Sequence, residues 1–249
     1  MSLNIKAYVM LVLASIFWAG NFIIGKFAFV ENISPFSLVF FRWLTVWFIL
    51  LPFTYKEILY KKKEISNNLP LLLFLGLTSV GLFNSFVYVS LQYTQVINAS
   101  LFNTAIPAAI ILSCFIFKIE KTNFYQLLGL LISVLGILVI ITKFNLNILL
   151  NLDFNIGDIW MIGAVICWGL YSSFLKKLKL KISLLSFVHI VCTCGLIFLL
   201  PQFSYEYFQG NAATIDKTFI YCLIYLALFP SIGSYYCWAG AVSIIGPNR

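Results

Sequence analysis

The sequence predicts an all-α polytopic membrane protein built from two inverted five-helix units, with about eight transmembrane helices present of an expected ten. Three observations carry this prediction. Of 249 residues, 62% are hydrophobic and only 10% charged, and the mean hydropathy is +1.00. A soluble domain holds about 25% charged residues, so a chain this apolar takes lipid as its solvent. The apolar residues fall in runs long enough to cross roughly 30 Å of hydrocarbon as helix, without the period-2 alternation of a barrel. Finally, the chain echoes itself. Ala14, Ile16, Trp18 and Lys26 match Ala164, Ile166, Trp168 and Lys176, and Leu50-Leu51-Pro52 matches Leu199-Leu200-Pro201. Tryptophan and lysine at matched spacing, followed by a second matched segment, indicate an internal duplication.

After a short polar leader, residues 7–30 form the first span, too long for the apolar core of a cleaved signal peptide. Glu31–Ser34 is a tight link, and Pro35 suits the first turn of a helix. The second span covers 35–54. A charged loop at 55–68, with Lys56, Lys61, Lys62 and Lys63, leads to spans at 69–91, 96–117 and 124–142. The Asn-rich stretch 143–157 is the longest link and divides residues 1–145, the first repeat, from 156–249, the second. Within the second, spans are expected at 158–175, 183–201 and 218–240.

Basic residues set the orientation. With the N-terminus inside, Lys6, Lys56, Lys61–Lys63, Lys118, Lys121, Lys176, Lys177, Lys179, Lys181 and Arg249 are cytoplasmic. The outer links hold Glu31, Asp153, Asp158, Glu206 and Asp216, with Lys143 and Lys217. That bias follows the positive-inside rule and predicts a multi-pass protein of the cell membrane with a cytoplasmic N-terminus. It also accounts for the net charge of +8 through lipid headgroups, without a nucleic-acid partner. Five spans per unit is an odd number, so the second unit runs inverted, a plan of secondary transporters.

Residues 18–43, WAGNFIIGKFAFVENISPFSLVFFRW, resemble the opening of the EamA family of the drug/metabolite transporter superfamily, through Trp18, Asn21, Lys26, the Ser34-Pro35 helix start and Arg42. Residues 93–121 resemble its fourth helix, with a mid-span proline at Pro107 and a charged turn after it. Residues 238–249 resemble the lead-in to its ninth helix. The resemblance covers the first repeat fully and the second in part. It implies a ten-helix membrane carrier with both termini cytoplasmic. Against that pattern the chain is expected to be a truncated carrier, ending where the ninth helix begins, with a homodimer that closes the gap as the rival expectation.

Polar side chains inside spans face the bundle interior or a wet cavity. Ala14, Trp18, Asn21 and Gly25 share one face of the first span; Gly81, Asn84, Ser85 and Tyr88 share one in the third. Ser100, Asn103, Thr104 and Pro107 mark the fourth, Trp168, Tyr171 and Ser172 the sixth, and Ser231, Ser234, Tyr235 and Trp238 the eighth. Small and hydroxyl residues also serve helix–helix packing alone, so the substrate-pathway candidates narrow to Trp18, Asn21, Asn84, Tyr88, Asn103, Trp168, Tyr171, Ser234, Tyr235 and Trp238. Pro107 is a candidate hinge.

Two charges lie within spans, Lys26 and Arg42, each costing about 2.5–3.5 kcal/mol at mid-span. Lys26 is near the outer end of its helix and is expected to snorkel to the interface. Arg42 lies deeper; it either bonds neighbouring helices or attracts an anionic group. No Asp or Glu falls in the middle of a span, which speaks against a carboxylate proton relay and against cation export of the kind that depends on a membrane-embedded Glu; neutral, zwitterionic or anionic substrates fit better. A single histidine, His189, supports neither a metal cluster nor a Ser-His triad. The six cysteines all fall in spans and read as small apolar residues. No phosphate-cradling glycine loop is present. No catalytic residues, metal or other cofactor are expected. The expected function is secondary transport of small metabolites such as amino acids or related amphipathic compounds; the alternative is a non-transporting membrane bundle.

Overall fold

The computed structural model describes residues 3–120, 123–142 and 155–246. Lys121, Lys143, Asp153 and Arg249, and most of the expected link 143–157, lie outside the described residues. Eight helices follow the order of the expected spans: α1 Leu3–Val30, α2 Pro35–Tyr60, α3 Leu69–Tyr93, α4 Val96–Ile116, α5 Phe124–Thr142, α6 Ile156–Leu175, α7 Leu184–Phe208 and α8 Lys217–Ile245. No strand occurs among the described residues. Seven of these helices are long and apolar enough to cross a membrane. The exception is α5, whose apolar stretch Phe124–Gly136 is shorter.

Several boundaries differ from expectation. The segment 55–68 is not a loop: α2 runs on to Tyr60, and a short helix, Lys62–Asn67, follows. Lysine, glutamate and leucine are good helix formers, so the charged residues Lys56 and Glu57 continue α2 and do not end it. Pro52 and Pro201 likewise sit inside α2 and α7 rather than at their ends. Each removes one backbone hydrogen bond near the headgroup region, where other donors are at hand.

Three helices are interrupted. A π-helical stretch, Leu77–Phe83, divides α3, and another, Ala227–Gly233, divides α8. Their starts differ by the same offset as Trp18 and Trp168. In α4 a 3₁₀ turn at Asn103–Ala105 precedes Pro107, which opens the next helical stretch, Ile106–Ile116. The expected mid-helix hinge at Pro107 is thus the first turn of a restarted helix, where a proline lacks no needed N–H.

The most extensive packing joins α2 to α7, α1 to α8, α3 to α6 and α7, and α4 to α6. All five pairings cross from residues before 143 to residues after 155. Small residues permit the closest approach. A Cβ on Gly195 would lie 2.3 Å from Val80, and one on Gly76 would lie 2.6 Å from the Cβ of Cys194, so α3 and α7 meet almost backbone to backbone. By contrast, a Cβ on Gly129 or Gly136 of α5 would meet nothing within 4 Å.

Candidate functional site

Arg42 is the organising residue. It lies two turns into α2 and is 1% exposed. Its Nη1 faces three acceptors: Asn21 Oδ1 at 2.8 Å on α1, and Asn84 Oδ1 at 3.0 Å and Tyr88 OH at 2.7 Å on α3. Its Nε donates to Ser231 Oγ of α8 at 2.6 Å. One guanidinium therefore ties four helices through neutral oxygens. Among the described residues the ion pairs are Lys61–Glu64 and Lys176–Glu120, so no carboxylate neutralises Arg42.

The π turns supply the rest of this network. Tyr88 OH donates to Asn21 Oδ1, and Asn84 Nδ2 donates to Ser79 O at 2.8 Å and to Tyr235 OH at 3.2 Å. Tyr235 OH in turn donates to Ser79 O at 2.7 Å. Ser231 Oγ donates to Leu226 O, five residues back. The wider turn of a π segment leaves such carbonyls for side chains to satisfy, and π turns recur at functional positions. Every donor and acceptor here is buried, so the network is costly to break.

Beside it stands an aromatic cluster. Trp18 and Trp168, the pair that marks the internal echo, meet edge to face with centroids 5.0 Å apart. Trp238 lies 5.4 Å from Trp18, while Tyr171 and Tyr235 lie 4.9 and 5.2 Å from Trp168. Trp238 Nε1 donates to Ser172 Oγ at 3.1 Å. Trp168 Nε1 and Tyr171 OH are buried without a hydrogen-bond partner among the described residues. Most buried polar atoms are paired, so two orphaned groups side by side are unusual.

A model of the EamA-like transporter family matches residues 5–142 and 155–249. The chain belongs to the EamA-like transporter family. An uncharacterized transporter of Archaeoglobus fulgidus is 28% identical over 97% of this chain and 81% of its own length. The uncharacterized transporter YyaM of Bacillus subtilis is 25% identical over 99% of this chain and 80% of its own. A WAT1-related protein of Arabidopsis thaliana matches at 25% identity over 73% of this chain and 57% of its own length. Family and relatives alike indicate a multi-pass membrane transporter rather than an enzyme.

Within this EamA-family chain the sequence candidates separate into groups. Asn21, Asn84 and Tyr88 converge on Arg42, and Tyr235 joins them through Asn84. Trp18, Trp168, Tyr171 and Trp238 form the aromatic cluster. Ser234 instead bonds the backbone, donating to Ala14 O and Phe229 O at 3.3 Å each. Asn103 stands apart on the 3₁₀ turn of α4, which packs next to α5, and its Oδ1 has no partner among the described residues. Lys26 Nζ donates to Leu91 O at 2.7 Å and Thr94 O at 3.1 Å, closing the C-terminus of α3 with a cation where free carbonyls and the helix dipole favour one. The sequence reading missed Glu57 and Glu206, which cap neighbouring helices from the ends of α2 and α7. Their signal was available: Glu57 and Glu206 stand at the same offset as the two Leu-Leu-Pro segments.

Proposed function

We propose that this chain is a secondary carrier of the cell membrane, with its N-terminus cytoplasmic. It moves small amphipathic metabolites, amino acids or related compounds, by alternating access between two inverted repeats of residues 1–145 and 156–249. The observation that carries this reading is the buried Arg42 guanidinium, which has no carboxylate partner among the described residues and stands beside aromatic rings with two orphaned donors. A zwitterion with an apolar side chain has the complementary chemistry. Its carboxylate is drawn to the cation and to Trp168 Nε1 and Tyr171 OH, and its side chain to the aromatic faces. The discontinuous helices and the edge-on meeting of Trp18 with Trp168 both suit a site between inverted repeats.

A second reading has its own support. The four neutral partners of Arg42 suffice to make it a structural tie, with the substrate confined to the aromatic cluster. Reconstitution into liposomes separates the two. Uptake of a radiolabelled amino-acid panel is expected to be saturable and to fall at least tenfold in Trp168→Ala. Normal yield of Arg42→Lys with selective loss of carboxylate-bearing substrates assigns Arg42 to binding. Failure of the wild-type chain to move any member of the panel would sink the amino-acid reading. Orientation is checked separately: a cysteine replacing Lys62 is expected to react with an impermeant maleimide only after intact cells are permeabilised.

A further inference from the structure

The pairing of α2 with α7 has a symmetry that neither the family assignment nor the central site uses. At one membrane face, the Glu206 carboxylate near the end of α7 accepts from Phe36 N at 3.0 Å, from Ser37 N at 2.7 Å and from Ser37 Oγ at 3.0 Å. These are first-turn groups of α2, whose own N-cap residue, Ser34, makes no side-chain cap. At the other face, Glu57 near the end of α2 accepts from Ser183 N at 2.8 Å and from the hydroxyls of Ser183 and Ser186 at 2.5 Å each. Those groups open α7. Ser34, Ser37 and Glu57 stand to Ser183, Ser186 and Glu206 at one common offset, the offset of the two Leu-Leu-Pro segments. Each helix therefore ends in a carboxylate that caps the start of the other, a charge-assisted contact aided by the helix dipole.

Between these ends, polar ties continue along the whole interface. Cys192 Sγ donates to Trp43 O at 3.2 Å, and Trp47 Nε1 donates to Thr193 Oγ1 at 3.1 Å. Thr54 Oγ1 meets His189 Nδ1 in a short hydrogen bond. No other helix pair is joined in this way from end to end among the described residues.

We propose that α2 and α7 form one rigid body, clasped at both membrane faces by Glu57 and Glu206, around which the remaining helices move. Because α2 lies in the first half of the chain and α7 in the second, alternating access between the repeats then turns on this shared pair, not on each half moving as a separate block. The clasp makes the pair a shared pivot for α1, α3, α4, α6 and α8, the helices that carry the central site. A pair of alternating gates would require one end open when the other is closed; here both ends are engaged together, with three ties between. The movement rests on the carrier reading above. The clasp does not.

Spin labels separate the two claims. The six native cysteines are buried, so labels go to introduced ones. Leu59→Cys with Leu200→Cys, and Phe48→Cys with Phe208→Cys, join α2 to α7 from exposed helical positions, with separations on the order of 20–25 Å at 1.5 Å per residue. Ile97→Cys with Tyr221→Cys joins α4 to α8 as the reference pair. Dipolar distances are recorded in detergent and in phosphatidylethanolamine/phosphatidylglycerol nanodiscs, with and without 10 mM of the amino-acid panel (on the scale of the weak affinities expected of carriers). Both α2–α7 pairs are expected to keep a single narrow distance throughout. Glu57→Gln broadens only the pair nearer its own face, and Glu206→Gln only the other. A second distance population in either unmutated α2–α7 pair overturns the rigid body. A reference pair that also stays single, with no uptake in liposomes, removes the carrier reading and leaves the clasp intact.

Discussion

At the scale of single residues, Arg42 shows what the sequence conveyed and what it withheld. Asn21, Asn84 and Tyr88 each announced themselves as polar side chains on the inner face of a span. That all three would point at one guanidinium was not legible. It depends on helix register after a π turn, which no periodicity in the sequence reveals, and on Ser231 arriving from α8. Arg42→Met leaves four buried oxygens facing a methyl thioether. Each unsatisfied group costs about 1–3 kcal/mol, so a loss near the upper end for a single substitution is expected. Thermal unfolding in detergent and the monodisperse yield should both drop sharply. Arg42→Lys should recover only part, because an ammonium lacks the planar fork that spans α1, α3 and α8 at once. A wild-type melting temperature for Arg42→Met would refute the organising role. Lys26 belongs to the same lesson: its bonds to the free carbonyls of α3 are not legible from its position in the sequence.

At the scale of elements, the spans were legible from hydropathy and their interruptions were not. Composition signals a π turn weakly, since Leu77–Phe83 reads LTSVGLF like any apolar helix. Yet this stretch is where α3 passes from α7, against its first half, to α6, against its second. Inserting one alanine between Phe83 and Asn84 should rotate Asn84 and Tyr88 by about 100°, one residue of a 3.6-residue turn, away from Arg42. Transport is then expected to vanish and stability to fall about as far as in Arg42→Met, with no further loss when both changes are combined. Full additivity in that double variant would show that the π turn serves something other than the arginine. The glycines of α3 and α7 permit a sharper contrast. Gly195→Leu must force the two backbones apart at Val80 and should prevent folding. Gly136→Leu, where a Cβ meets nothing within 4 Å, should leave the melting temperature unchanged or slightly raised through better helix propensity.

At the scale of the whole molecule, the duplication in sequence does not correspond to two separate packing units. Trp18 and Trp168 were read as equivalent positions in two halves, and the structure brings them into contact with each other. The same holds for Glu57 and Glu206, each of which caps the helix that carries the other. Neither carboxylate is legible as a cap in the sequence, because a charge at the end of an apolar run reads as a loop residue. The largest interfaces, α2 with α7, α1 with α8, α3 with α6 and α7, and α4 with α6, all join residues before 143 to residues after 155. Within the first half, α5 packs chiefly on α4, and α1 touches α3 over a small area. Such a half, alone in lipid, would expose Arg42 and its polar partners to hydrocarbon, where each unsatisfied group costs several kcal/mol. Residues 1–145 produced by themselves should therefore be degraded or aggregate, as should residues 156–249. Produced together from two genes, they should recover a complex that copurifies and melts cooperatively, because the contacts that hold the bundle cross between them. Pull-down of a tag on either fragment, followed by thermal unfolding of the recovered material, reads both outcomes. A first half that is stable and monodisperse alone would mean that the contacts within it outweigh those across the interface.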